Sequence, residues 1–167
     1  MSTVMKRTTV MDGEIVRLPL IYNSNVETSA QFELPVGMVI RPEDMWLIIT
    51  TIDATETISV GIGMGTEAGF DADGFIVTYP LDTAGTYRVA DMATAIDGAS
   101  QNYLTTYIGA LFWNGKVGGN AADTAGIYAT KSYRGDGTCK TICYTCSADS
   151  DTFVGALVFI PRILPLA

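Results

Sequence analysis

The sequence predicts an all-β fold, a β-sandwich or jelly-roll-like single domain behind a short extended N-terminal arm. Three observations lead there. Runs of strand length rich in Ile, Val, Thr, Tyr and Phe recur along the whole chain, and these residues fit a pleated, half-buried surface. Turn-forming stretches such as "NSN", "TEAGFDAD", "LDTAG", "RGDG" and "SADSD" separate them, which is the chemistry of short connections. Helical spacing shows only once, through Val89, Met92, Ala93 and Ile96 within 89–102. Many short strands with little helix read as two packed antiparallel sheets. We place the arm at 1–13 and the sandwich at 14–167.

Taken in order, the expected strands are 14–22 "EIVRLPLIY", 28–34 "TSAQFEL", 45–52 "MWLIITTI" and 57–64 "TISVGIGM". Then come 74–79 "GFIVTY", 86–90 "TYRVA", 103–113 "YLTTYIGALFW" and 126–134 "GIYATKSYR". The last two are 138–147 "TCKTICYTCS" and 152–160 "TFVGALVFI". In 45–52, Trp46, Ile48 and Thr50 face one way while Met45, Leu47, Ile49 and Thr51 face the other. Both sides are largely apolar, as in a central strand or one covered by a neighbouring subunit.

Composition narrows the function classes. Hydrophobic residues make up 48% of the 167 and charged residues only 17%, yet no apolar run approaches the roughly 18 residues of a membrane helix. The surplus points to a sheet-rich core, oligomer contacts or both. Formal net charge is −8, which argues against nucleic acid, whose phosphates need Lys and Arg to displace their counterions. No Lys or Arg falls between Arg41 and Arg88, while Glu43, Asp44, Asp53, Glu56, Glu67, Asp71, Asp73 and Asp82 all do. Such a run is expected on a solvated face. Behind Lys6 and Arg7 there is no apolar segment, so the expectation is a chain made and folded in a reducing cytoplasm.

Several motifs invite chemistry and lack its context. In "TISVGIGMGTEAGFDADGFIV", Gly61 and Gly63 are followed by Thr66 where a dinucleotide fingerprint needs glycine, and no lysine stands near for a phosphate loop. Alternating glycines in a strand permit close packing, a bulge or a bend. With Gly74 in the glycine position of a calcium loop, Gly69 and Pro80 occupy the first and last ligand positions, and neither supplies a carboxylate. Asp71 and Asp73 remain the candidates for a cation, on an expected polar turn from Glu67 to Gly74; no cofactor is implied.

Cys139, Cys143 and Cys146 have the spacing of a cluster-binding triplet. On a strand, however, Cys139 and Cys143 share one face and Cys146 the other. There is no histidine to complete a zinc set or to serve a Ser-His-Asp or Cys-His arrangement. The expectation is small buried hydrophobes, no enzyme, and an "RGD" at 134–136 that is simply a turn.

The polar N-terminal arm, the central "TISVGIGMGTEAGFDADGFIV" and the closing "DTFVGALVFIPRIL" together resemble capsid decoration (cement) proteins of tailed bacteriophages. That resemblance implies a homotrimer on the capsid exterior that bridges major capsid proteins, with neither a membrane nor nucleic acid as partner. Met5, Lys6 and Arg7 are then the capsid-contact candidates, Lys6 and Arg7 being the basic residues of the arm. The competing expectation is a receptor- or carbohydrate-binding head of a phage fibre, with Tyr103, Tyr107, Trp113 and Tyr128 as stacking surfaces for sugars.

Overall fold

Most of the strand-like runs become strands, and their pairing decides the architecture. The structure is a computed structural model and describes residues 11–21, 28–52, 56–63, 65–92, 107–117, 127–138, 141–146 and 153–163. In chain order the strands are β1 (Val16–Ile21), β2 (Thr28–Glu33), β3 (Met38–Ile40), β4 (Met45–Thr51), β5 (Glu56–Ile62), β6 (Asp71–Leu81) and β7 (Gly85–Arg88). They continue with β8 (Trp113–Val117), β9 (Ile127–Thr130), β10 (Tyr133–Arg134), β11 (Thr141–Cys146), β12 (Val154–Phe159) and β13 (Arg162–Ile163).

Two four-stranded sheets carry the fold, ordered β1-β12-β4-β7 and β2-β11-β5-β6, and every pairing within them is antiparallel. Set aside the short β3, β8, β9, β10 and β13. The remaining strands then cross from one sheet to the other at every step except the β5–β6 hairpin, as two interlocked Greek keys, which is the wiring of a jelly roll. The all-β, sandwich-like expectation holds. A three-stranded sheet, β10-β3-β13, and a hairpin, β8-β9, are added to it.

Alternation explains what lies between the sheets. Val16, Leu18 and Leu20 of β1, Met45, Leu47 and Ile49 of β4, and Leu157 and Phe159 of β12 are buried on one side. Phe32, Ile58, Val60, Ile62, Ile142 and Tyr144 meet them from the other sheet. Phe32 and Phe159 lock edge to face with ring centroids 5.0 Å apart, the arrangement favoured by the aromatic quadrupole. Toward the other end, the Ile21 N–H donates to the Tyr144 hydroxyl oxygen at 3.3 Å, which ties edge strand β1 across the sandwich. Burial of that hydroxyl pushes the Tyr144 pKa up, and the Ile21 hydrogen bond acts in the opposite direction. Pro19 and Pro80 sit in β1 and β6, each an edge strand of its sheet, where a missing N–H breaks no ladder.

The central glycine-rich stretch is shaped by bulges. Opposite β5, the register steps from Ile58–Tyr79 to Val60–Ile76 and then to Ile62–Asp71, so β6 carries extra residues at two places. At the first, Thr78 has φ of 41°, a strained value for a β-branched residue, and its N–H donates to the Ser59 hydroxyl oxygen at 2.9 Å. At the second, Asp71–Gly74 fold so closely over β5 that a side chain on Gly61 would collide with the Asp71 carbonyl oxygen. The polar turn is therefore shorter than expected. It ends at Gly69, and Asp71 already opens β6.

The expected strand over 103–113 is also corrected. Residues 103–106 lie outside the described residues. Of the rest, Ile108 makes a single bridge to Ile76 and the chain then turns before β8 begins at Trp113. The Val77 N–H donates to the Tyr107 carbonyl (2.8 Å), Gly109 N–H to that of Phe75 (3.0 Å) and Leu111 N–H to that of Gly74 (2.8 Å). This short piece thus covers the open edge of β6, which the bulges make too irregular for a long ladder. Within 89–102, the described part is a 3-10 turn over Val89–Met92, and residues 93–102 are not described.

Close approach at Gly61 and Gly109 sets a stability prediction. A Cβ at Gly109 would strike the Asp73 carbonyl oxygen, as one at Gly61 strikes that of Asp71. Gly61→Ala and Gly109→Ala should each cost about 3 kcal/mol, the upper end of overpacking. Gly37→Ala, with open space but φ of +84°, should cost only about 1–2 kcal/mol. Urea denaturation of the three variants checks this order.

Candidate interaction surfaces

The strand registers bring the segment before β1 and the segment after β12 together at one pole of the sandwich. β1 begins opposite the end of β12, and β13 follows directly to pair with β3. Ahead of β1, the Gly13 N–H donates to the Pro161 carbonyl (3.0 Å) and the Asp12 carboxylate accepts from the Ile163 N–H (2.6 Å). The Glu14 carboxylate accepts from the Met11 N–H at 3.1 Å. Residues 11–13, expected as the end of an extended arm, instead form a turn pinned to β13, with Gly13 at φ of 71°. Met5, Lys6 and Arg7 lie outside the described residues.

Beneath this turn, Asp44 anchors the pole. One of its carboxylate oxygens accepts from Arg41 (3.0 Å) and from Arg162 Nε (3.3 Å). The Asp44 carbonyl accepts from the Ile160 N–H at 3.0 Å. The segments that meet here, before β1, before β3 and in β13, also expose four large apolar residues: Met11 (73%), Ile15 (66%), Val36 (69%) and Ile163 (60%). Exposed aliphatic groups gathered this way mark contact surfaces.

A second apolar surface is the outward face of the β1-β12-β4-β7 sheet. Its rows follow from register: Arg17, Val158, Trp46 and Arg88 in one, Pro19, Ala156, Ile48 and Thr86 in the next. Ile21 and Val154, a directly opposed pair, continue it at 60% and 47% exposure. Trp46, Ile48 and Val158 are half-buried. The two-sided apolar pattern of 45–52 thus belongs to a strand that is central in its sheet and also backs an apolar outer face.

The expected chemical candidates are differently placed. Asp71 and Asp73 lie at the bulged start of β6, and their side chains hydrogen-bond to each other. Burial, then that bond and the Asp73 charge, raises the Asp71 pKa above its ordinary 3.8. Among the described residues, no group of three or more Asp, Glu, Cys or His is arranged to hold a metal ion. The acidic run is also not wholly solvated, a correction: Asp44 and Glu56 are buried.

Cys146 belongs to the core between the sheets, and Cys143 is buried on the opposite face of β11. Burial, with the Glu56 charge adding to it, pushes the Cys146 thiol up to about 12. Cys139 lies outside the described residues. In the "RGD" segment, Gly135 is buried and doubly hydrogen-bonded to backbone at Gly37 and Met38, while the Asp136 carboxylate caps the Thr138 N–H at 2.8 Å.

Of the aromatic candidates, Tyr107 packs edge to face on Tyr79, with centroids 5.2 Å apart, and Tyr79 packs on Tyr87 at 5.7 Å. The Tyr79 hydroxyl is held above its ordinary pKa by burial and by the neighbouring Tyr87, Asp82 and Tyr107. Tyr79 and Tyr87 meet although β6 and β7 belong to different sheets, so no spacing along either strand announces the contact. Trp113 and Tyr128 fall in β8 and β9, and Tyr103 lies outside the described residues. No helix among the described residues is long and apolar enough to cross a membrane.

Comparison with protein-family models, with curated proteins and with solved structures finds no match to this chain.

Two measurements test the chemistry of the interior. Raised in the fold, the Asp71 pKa adds stability below its unfolded value near 3.8, and that stability is lost as pH rises through the folded value. Asp71→Asn should therefore stabilise the protein at pH 7 relative to wild type and lose that advantage in acid, read as denaturation midpoints across pH. Alkylation followed by peptide mass spectrometry should leave Cys143 and Cys146 unmodified in the native protein and label both after denaturation.

Proposed function

We propose that this protein is a structural virion protein that binds the outside of a tailed-bacteriophage capsid as a homotrimer and stabilises the shell by bridging major capsid proteins. The observation that carries the reading is the pole, where the N-terminal segment is pinned beside β13 among exposed Met11, Ile15, Val36 and Ile163. Met5, Lys6 and Arg7 precede that segment in the sequence, and apolar contact and opposite charge would hold such residues on a capsid surface.

The jelly-roll wiring supports it, since two packed sheets present broad rigid faces, and so does the resemblance of the arm, the central stretch and the closing strand. On this reading the protein works by contact and not by turnover. Net charge of −8 keeps a decorated exterior from binding nucleic acid and from sticking to other particles. Assembly follows synthesis in the host cytoplasm. A second reading, the sugar-binding head of a phage fibre, has the half-buried Tyr79, Tyr87 and Tyr107 cluster in its favour.

Imaging undecorated capsids mixed with the purified protein tests the proposal. Density at three-fold or quasi-three-fold positions is the expected result. No density, with binding on a glycan array, would favour the fibre head. Deleting residues 1–11 should weaken capsid binding and leave the oligomer intact by light scattering. Unchanged binding would remove the arm from the contact.

A further inference from the structure

We propose that the outward face of the β1-β12-β4-β7 sheet docks a second copy of this chain, which presents its acidic β5–β6 turn to the arginines at the edges of that face. This deepens the oligomer half of the proposed function and rests on it in that respect. Capsid binding is a separate matter.

The outward strand positions carry Pro19, Ile21, Trp46, Ile48, Val154 and Val158 as their large apolar groups. The charged residues among those positions are Arg17 and Arg88, both exposed, at the two edges of one row. No carboxylate occupies these outward positions, in a chain with 18 Asp and Glu against 10 Lys and Arg. The arginines lie three strand spacings apart, roughly 14 Å, with Val158 and Trp46 between them. An apolar centre flanked by two cations selects an occupant that is acidic at its margins.

The chain supplies such an occupant. The β5–β6 turn carries exposed Glu67, and exposed Asp73 follows where β6 begins. No Lys or Arg occurs anywhere from 42 to 87. This turn belongs to the other sheet, so its own copy's outward face is turned away from it and the partner must be another molecule. The contact joins two different surfaces, and such a contact closes into a ring when its rotation allows.

Light scattering and sedimentation of wild type and variants provide the test, with circular dichroism to confirm that each variant folds. Wild type should be an oligomer that dissociates progressively as salt is raised. R17E/R88E and E67K/D73K should each be monomeric at a concentration where wild type is assembled. Mixing the two variants should restore association between unlike copies, whose faces and turns are then opposite in charge, although a ring of three cannot alternate two kinds and keeps one repelling contact. Ile21→Lys should also abolish it. A wild-type oligomer that persists in either charge variant, or a mixture that stays monomeric, overturns this contact and leaves the trimer reading standing. A monomeric wild type overturns both, while capsid imaging judges decoration independently.

Discussion

Everything in this molecule depends on the pairing of β1 with β12, strands from opposite ends of the sequence. Residue for residue, Val16 to Ile21 lie against Phe159 to Val154. That ladder places β12 between β1 and β4 and lets Phe159 reach Phe32 in the other sheet. Without it the first sheet loses edge strand β1, and the inter-sheet core loses Val16, Leu18 and Leu20. Such contacts are remote in sequence, so loop-closure entropy is met before they contribute.

The same closure creates the surface that functional reasoning uses. Because β1 starts where β12 ends, the segment before β1 must pass β13, and Asp12 and Gly13 bond to it there. Asp44 then gathers Arg41 and Arg162 beneath. An ion cluster of this kind is only partly exposed, so it gains more than an open surface pair and less than its Coulomb energy implies. Its clearest effect is geometric, since it sets the direction in which β13 leaves the sheet.

Glycine has two separate uses here. Gly13 and Gly37 supply left-handed backbone at turns. Gly61 and Gly109 instead leave room for another strand's backbone, letting the bulged start of β6 pack between β5 and residues 107–111. The stretch that resembles a phosphate loop is shaped by that crowding. Asp71 is half-enclosed by the same folding, which explains why its charge is disfavoured in a chain otherwise rich in solvated acid.

Local sequence determined the fold class, most strand positions, the central place of 45–52 and the burial of the described cysteines, because each depends on side-chain period and residue type. The tertiary structure alone decided which strands are neighbours, that Asp44 and Glu56 are interior, and that 107–111 caps an edge. It also decided that Tyr79, Tyr87 and Tyr107 meet, and that Arg17 and Arg88 frame one apolar face. Periodicity tells a residue which side of its own strand it occupies. Only pairing between strands distant in the chain decides what stands on that side beside it.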